Sequence, residues 1–191
     1  MVDKASSLQE AKQILRDYAP TLALNSISLD SENRVDISGD IDLHRLFGRR
    51  SHKTLPLVFG KITGNFQAVD LGLTTLEGSP YWVGKAFSVK NNNLTTLTGG
   101  PDYVGTYYLV TKNPLENLDG LASHIGGLGV EFDYTPTLPL LRTLVAQKIW
   151  PNPDQVELEK ILVKYAGQGK RAMFDCQKDL EDAGFEGNAR W

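Results

Sequence analysis

Residues 83–124 read VGKAFSVKNNNLTTLTGGPDY and then VGTYYLVTKNPLENLDGLASH, two copies of one 21-residue pattern. The spacing continues outward. Ile62, Val83, Val104 and Ile125 form one series, Phe66, Phe87 and Tyr108 a second, and Leu73, Leu94 and Leu115 a third. Leu76, Leu97 and Leu118 follow, each with a glycine two residues later (Gly78, Gly99, Gly120). A fixed period of this length marks stacked supersecondary units, each too small to bury its own apolar face. The chain therefore predicts a solenoid.

Within a copy the order is apolar-x-apolar-x-x-Asn-x-Leu. Phe87, Val89, Asn92 and Leu94 fill it once, and Tyr108, Val110, Asn113 and Leu115 fill it again. The first two apolar residues alternate along a short strand and point inward. The chain then bends, and the Asn is placed to bond backbone groups freed by the bend. Equivalent strands of successive coils pair in a parallel sheet at about 4.8 Å. The Leu-x-x-Leu-x-Gly segment returns along the other side. Gly78, Gly99 and Gly120 suit turns of positive φ, and Pro80 and Pro101 restrict the return path.

Further out the pattern loosens. Val35, Ile37, Gly39, Ile41 and Leu43 alternate with Asp36, Ser38, Asp40 and Asp42, the alternation of a strand. Ile37 and Ile41 match Ile62 and Phe66 at a separation of 25, and the surplus falls in a basic stretch from Arg45 to Lys53. The first clean copy has Leu71 where later ones have Asn92 and Asn113. After Ile125 the register slips, so either Leu128 and Val130 or Val130 and Phe132 face inward.

An open stack exposes apolar surface and unpaired strand edges, so both ends need covers. At one end, Leu8, Ala11, Ile14, Leu15 and Tyr18 form a helical stripe, with Ser7 and Glu10 as a capping box and Pro20 as the stop. At the other end three helices are expected. The first runs from Leu140 to Trp150. The second starts at Asn152-Pro153-Asp154, with Asn as cap, and carries Val156, Ile161, Leu162 and Tyr165. The third runs from about Lys170 to Ala183, with Gly184 just past its end. The expected fold is an α/β (α+β) repeat: a cap over residues 1–34, a parallel-strand solenoid of about five coils over 35–138, and a helical subdomain over 139–191.

The strings NNNLTTLTGGPDYVG and KNPLENLDGLASHIGG resemble leucine-rich repeats. They are more specifically similar to the short repeat proteins of tailed bacteriophages. The closing YAGQGKRAMFDCQKDLEDAGFEGNARW is similar to a tail that often follows such coils. The likeness runs from about Leu43 to Trp191. It implies a leucine-rich-repeat-like solenoid encoded by a phage, and it implies no activity, since that group shares none.

Composition excludes several classes. A formal net charge of −3 argues against a general nucleic-acid binder. An apolar fraction of 41% argues against wholesale disorder. A single cysteine, Cys176, allows no internal disulfide and reads as a buried small hydrophobe on a helix. No apolar run spans a membrane, and the N-terminus lacks the apolar core of a signal peptide, so a cytoplasmic location is expected.

Catalytic patterns are thin. His44, His52 and His124 have no second ligand at metal spacing, so neither a metal nor another cofactor is expected. Gly167-Gln168-Gly169-Lys170 lacks the full phosphate-loop spacing and reads as a plain turn. Asp40 and Asp42 share a strand face without a third group and read as solvated. Outward positions offer more. They stack in columns: Asp42, Gln67, Ser88 and Leu109; Asp40, Asn65, Ala86 and Tyr107; Val69, Lys90 and Thr111. Glu131 and Asp133 extend them. This mixture of acids, amides, Tyr and Leu has the character of a protein-binding face. Arg49, Arg50 and Lys53 in the basic stretch are a candidate contact for phosphate or an acidic partner. Trp191 either packs on the helical subdomain or is presented to a partner.

The expected function is non-catalytic binding: a phage-encoded module engaging, and inhibiting, a host protein such as a defence or transcription factor, with a phage protein as the other candidate partner. Three rivals remain. One is a nucleic-acid-binding accessory protein acting through Arg45 to Lys53 with Lys160, Lys164, Lys170 and Arg171. The second is an enzyme with its site between the last coil and the helices, and the third a structural component of the virion.

Overall fold

The computed structural model describes residues 2, 4–43, 53–153 and 155–191. It is a parallel β-solenoid of about five turns with a helix at its N-terminal end and helices at its C-terminal end. Helix α1 spans Leu8–Tyr18. Strands β1 to β4 are Ile27–Leu29, Val35–Ile37, Ile41–Asp42 and Phe59–Ile62. Strands β5 to β8 are Phe66–Gln67, Trp82–Val83, Phe87–Ser88 and Tyr103–Val104. Strands β9 to β12 are Tyr107–Leu109, His124–Ile125, Gly129–Asp133 and Ile149–Asn152. Helix α2 spans Val156–Tyr165 and helix α3 Met173–Asp182.

Each coil contributes to two sheets where the repeat pattern suggests one. The first sheet has the order β1-β2-β4-β6-β8-β10, antiparallel only at β1–β2. The second has the order β12-β11-β9-β7-β5-β3. Most of these strands are two or three residues long, with a sharp corner between the sheets. Three glycines make that corner. A Cβ added at Gly84, Gly105 or Gly126 would lie 2.3, 2.0 and 1.8 Å from the backbone oxygen of Thr63, Gly84 and Gly105 in the coil below. Successive corners thus approach too closely for any side chain.

The inward series are the core. Ile62, Val83, Val104 and Ile125 are buried under the first sheet. Phe66, Phe87 and Tyr108 pile up under the second, with centroids 5.4 and 5.0 Å apart. Leu76, Leu97 and Leu118 close the third side, which has no strands among the described residues. Asn92 and Asn113 are buried at the bend, as the pattern requires. In the last coil Val130 and Phe132 point inward, and Leu128 is 45% exposed. Val130 pairs with Tyr108, so one extra residue is accommodated before β11.

At the N-terminal end Ser7 caps α1, accepting from Glu10 N–H at 3.2 Å. The Glu10 carboxylate turns to Ser6, whose N–H and hydroxyl hold it below the usual carboxylate range. Ala11 and Leu15 bury the helix against the core.

The C-terminal end differs from expectation. Residues 140–150 do not form a helix. Leu141–Val145 makes a short 3-10 turn, and Ile149–Asn152 is strand β12, parallel to β11. The edge of the second sheet gains a further strand that way, with Pro151 tolerated because it lies in an edge strand. Asn152 therefore ends a strand and caps no helix; α2 starts at Val156 behind Gln155. Helix α3 agrees with expectation, with Cys176 and Leu180 buried. Asp179 on α3 accepts from Lys164 Nζ at 2.7 Å and Tyr165 Oη at 2.6 Å on α2, which holds the two helices together and its own carboxyl below the ordinary range. The tail is fastened through buried Asn188, whose Nδ2 donates to Thr135 O and Leu138 O at 2.9 Å each.

Candidate functional site

The second sheet orders the expected columns. Asp42, Gln67, Ser88, Leu109 and Glu131 are register neighbours, and Trp150 of β12 completes the row. Gln67 is exposed, and Asp42, Leu109 and Glu131 are half-buried. Ser88 and Thr111 are not surface residues: they are 5% and 2% exposed. Ser88, the smallest side chain of its row, lies between Gln67 and Leu109. Thr111 belongs to the coil spanned by an ion pair, in which Lys90 Nζ lies 3.2 Å from Glu131 Oε1. Lys90 and Glu131 are thus already engaged with each other.

The Asp40 column braces the backbone. Asp40 Oδ1 accepts from Asn65 N–H at 2.8 Å, and Asn65 Oδ1 accepts from Ala86 N–H at 3.1 Å. The first bond, with Lys85 Nζ at 3.7 Å, holds the Asp40 carboxyl below its ordinary value. Tyr107 ends this column and remains half-buried beside Gly129, which presents no side chain. A hollow of about 250 Å³ opens there, lined by Tyr107, Glu131, Trp150, Pro151 and Asn152. Trp150 is 40% exposed, with its Nε1 donating to Leu128 O at 2.9 Å.

Arg49 and Arg50 lie outside the described residues, as do His44 and His52. Lys53 is exposed. The basic residues of the C-terminal helices are partly committed: Lys164 to Asp179, and Lys160 to Glu157 at 3.5 Å.

The first sheet carries a surface that the column analysis missed. Trp82, Tyr103 and His124 are register neighbours on its outer side. Trp82 and Tyr103 stack at 5.3 Å with planes 6° apart, and Tyr103 and His124 at 4.5 Å with planes 4° apart. Lys61 Nζ closes the row, 4.3 Å from the Trp82 ring. Beside it the Arg34 guanidinium lies 4.6 Å from the ring of Tyr81, which is 40% exposed. Asp30 anchors Arg34 through its Nε at 2.6 Å. Burial pushes the Asp30 carboxyl up, but the Arg34 and Glu32 amides and the guanidinium outweigh it, leaving it below the usual range. The 21-residue spacing of Trp82, Tyr103 and His124 was the signal for this row.

A second hollow, of about 270 Å³, lies between the last coil and the C-terminal elements. Leu121, Ala122, Ser123, Arg142, Val145, Lys170 and Trp191 line it, with no carboxylate side chain among them. Trp191 packs here while remaining 39% exposed, its ring 5.1 Å from the Arg142 guanidinium and 5.6 Å from Lys170 Nζ. Cys176 is buried, and burial first, then Asp179, pushes its thiol up to about 12. It is protonated at neutral pH and poorly suited to nucleophilic work. Among the described residues no three His, Cys, Asp or Glu side chains converge on a metal-sized site, and no helix is long and apolar enough to cross a membrane.

Comparison of the chain with protein-family models, curated proteins and solved structures returns no match.

Proposed function

We propose that the chain is a non-catalytic protein-binding module that presents a flat sheet face to its partner. The supporting observation is the row Lys61–Trp82–Tyr103–His124, flanked by Arg34 and Tyr81, on the outer side of the first sheet. Trp, Tyr and Arg are the side chains that most often dominate interface energies. Here they are held rigid by stacking, so docking costs little side-chain entropy. The second sheet offers a smaller counterpart around Tyr107, Leu109 and Trp150. The resemblance of the coils to those of tailed-phage proteins makes a bacterial host protein the first partner to seek, and inhibition by occlusion the simplest consequence.

The test is capture of a partner by the tagged chain from bacterial lysate, repeated with Trp82→Ala/Tyr103→Ala and with Gln67→Ala/Tyr107→Ala. A stoichiometric partner is expected, lost in the first double variant and retained by the second. Loss only in the second moves the interface to the other sheet. No stoichiometric partner, or one indifferent to both variants, overturns the proposal.

A further inference from the structure

Tyr107 and Trp150 line one hollow of about 250 Å³, with Glu131, Pro151 and Asn152 as its other walls. Its existence follows from the register of the second sheet. Tyr107 stands on β9 and Trp150 on β12, with β11 between them. On β11, Glu131 is the register neighbour of Trp150, and Gly129 is that of Tyr107. Gly129 has a φ of +90°, and a Cβ there would lie 2.1 Å from Lys148 O. Only glycine fits, so no side chain stands beside Tyr107 on that strand. The two aromatic residues, diagonal to each other across β11, bound the space that Gly129 leaves open. Trp150 is fixed there by its single donor, Nε1, which is spent on Leu128 O at 2.9 Å.

The walls match one ligand chemistry. Tyr and Trp rings attract a cation placed over them within about 6 Å. Glu131 adds a carboxylate. Its Oε1 meets Lys90 Nζ at 3.2 Å, and its Oε2 has no hydrogen-bond partner among the described residues. Asn152 spends its Nδ2 on Asp133 Oδ1 at 2.9 Å, which leaves its Oδ1 as an acceptor. Asp133 in turn accepts from Lys112 N–H through Oδ2. Apart from the Tyr107 hydroxyl, which donates or accepts, the side-chain atoms left over here are acceptors. No lysine or arginine lines the hollow. Lys148, packed beside Gly129, is exposed, so water screens its charge. An anion would meet Glu131 and two ring clouds, and all three repel it. The volume is below the roughly 300 Å³ at which sites for drug-sized ligands begin, so a small head group is what fits.

We infer that this hollow is a site for an organic cation: it takes an alkylammonium head group between Tyr107 and Trp150, with the charge balanced by Glu131. The ligand is distinct from the partner of the first sheet, and the inference does not depend on that reading. Two sources carry this head group, a free quaternary amine and a lysine of another chain. With two rings and one carboxylate in a site open to water, the expected Kd is about 1–10 mM.

Titration of the full chain, followed by proton–nitrogen NMR through the indole N–H signals of Trp82, Trp150 and Trp191, tests it. The probes are choline, the capped tripeptide acetyl-Gly-Lys-Gly-amide, and the neutral carbon isostere of choline, which has its shape without the charge. Choline or the tripeptide is expected to shift the Trp150 signal saturably in the range of about 1–10 mM, leaving Trp82 and Trp191 in place. The neutral isostere is expected to bind about tenfold more weakly or worse, a comparison that needs no variant. Tyr107→Leu, which keeps apolar bulk, and Glu131→Gln are each expected to weaken binding by about fivefold or more. Trp82→Ala/Tyr103→Ala is expected to bind as the wild type does, which separates this site from the first sheet. Tighter binding of the tripeptide assigns the site to a lysine of another chain, and tighter binding of choline to a free amine; both support the inference. A Trp150 signal unmoved by about 50 mM of each cation, well above the expected Kd, overturns it. So does an isostere that binds as tightly as choline, or binding that Tyr107→Leu and Glu131→Gln both leave intact.

Discussion

Asn92 and Asn113 donate to the same carbonyl: each Nδ2 lies 2.9 Å from Val89 O, one from within that coil and the other from the next. Asn92 Nδ2 also reaches Ala68 O at 2.8 Å, while its Oδ1 accepts from the N–H groups of Leu71 and Leu73 at 3.0 Å each. Asn113 repeats the arrangement with Val110 O and Leu94 N–H. The two carboxamides form a polar seam through the bend of the coil. Asn92→Ala strands two buried amides, each worth about 1–3 kcal/mol when left without a partner, so a loss of about 3 kcal/mol is expected. Asn113→Ala, which frees one amide, should cost less. Asn92→Asp also destabilises, because an oxygen then faces the Ala68 and Val89 carbonyls. Urea denaturation measures all three; a loss below about 1 kcal/mol in Asn92→Ala would show the seam to be dispensable.

The inter-sheet corner gives a second prediction. A Cβ at Gly105 meets Gly84 O at 2.0 Å, and backbone atoms have no rotamer with which to escape. Gly127, one coil later and one residue along, has only Gln147 Oε1 at 3.7 Å. Gly105→Ala is expected to lower stability by about 3 kcal/mol or prevent folding, as overpacking against backbone does. Gly127→Ala should change it by less than about 0.5 kcal/mol, as ordinary surface substitutions do. Equal effects would mean that the coils do not stack through this corner.

The division between what the residues announced and what they hid follows from range. A 21-residue period places equivalent side chains in one column, and every member of the Phe66 and Leu76 series is buried as that logic requires. Strands of two residues carry no alternation to read, so the second ladder of each coil was invisible. Leu140, Leu141, Leu144 and Val145 have helical spacing, but the open edge of β11 offers four residues of parallel pairing to Ile149–Asn152, and that wins. Burial of Ser88 and Thr111 depends on neighbours in other coils and on a lysine reaching across 41 residues. Such reach is a property of the stack and of no single repeat. The row of Trp82, Tyr103 and His124 also has the repeat spacing, but each member directly precedes a buried residue of the inward series (Val83, Val104, Ile125), and only the pairing of the first sheet shows that the row stacks on its outer side.

Tyr108 supplies a prediction of opposite sign. Its ring continues the Phe66–Phe87 pile, but its hydroxyl is buried with no hydrogen-bond partner among the described residues, and burial raises its pKa well above the ordinary value. A buried polar group without a partner costs about 1–3 kcal/mol. Tyr108→Phe removes it while keeping the ring, so stability should rise by about 1 kcal/mol. Thermal or urea unfolding decides the matter, and a loss of stability would mean that the hydroxyl has a partner after all.

Asp40 makes the fold acid-sensitive in a way that one variant isolates. Its carboxyl is held below the ordinary value of 3.8, chiefly by Asn65 N–H against the pull of burial, with Lys85 adding to it. A folded-state pKa below the unfolded one gives stability that is full above the unfolded value and is lost as pH falls through the folded value. The contribution is therefore whole at pH 7 and disappears below about pH 4, where unfolded carboxylates begin to take up protons. Asp40→Asn keeps an oxygen for the Asn65 amide but has no charge to titrate. At neutral pH the wild type should be the more stable of the two. As pH falls toward about 2.5, well below the reference carboxylate value, the two should converge. Glu10, Asp30 and Asp179 are lowered as well, so both proteins weaken in acid. The gap between their urea midpoints is the quantity to follow, and a gap that stays constant with pH would remove Asp40 from the acid response.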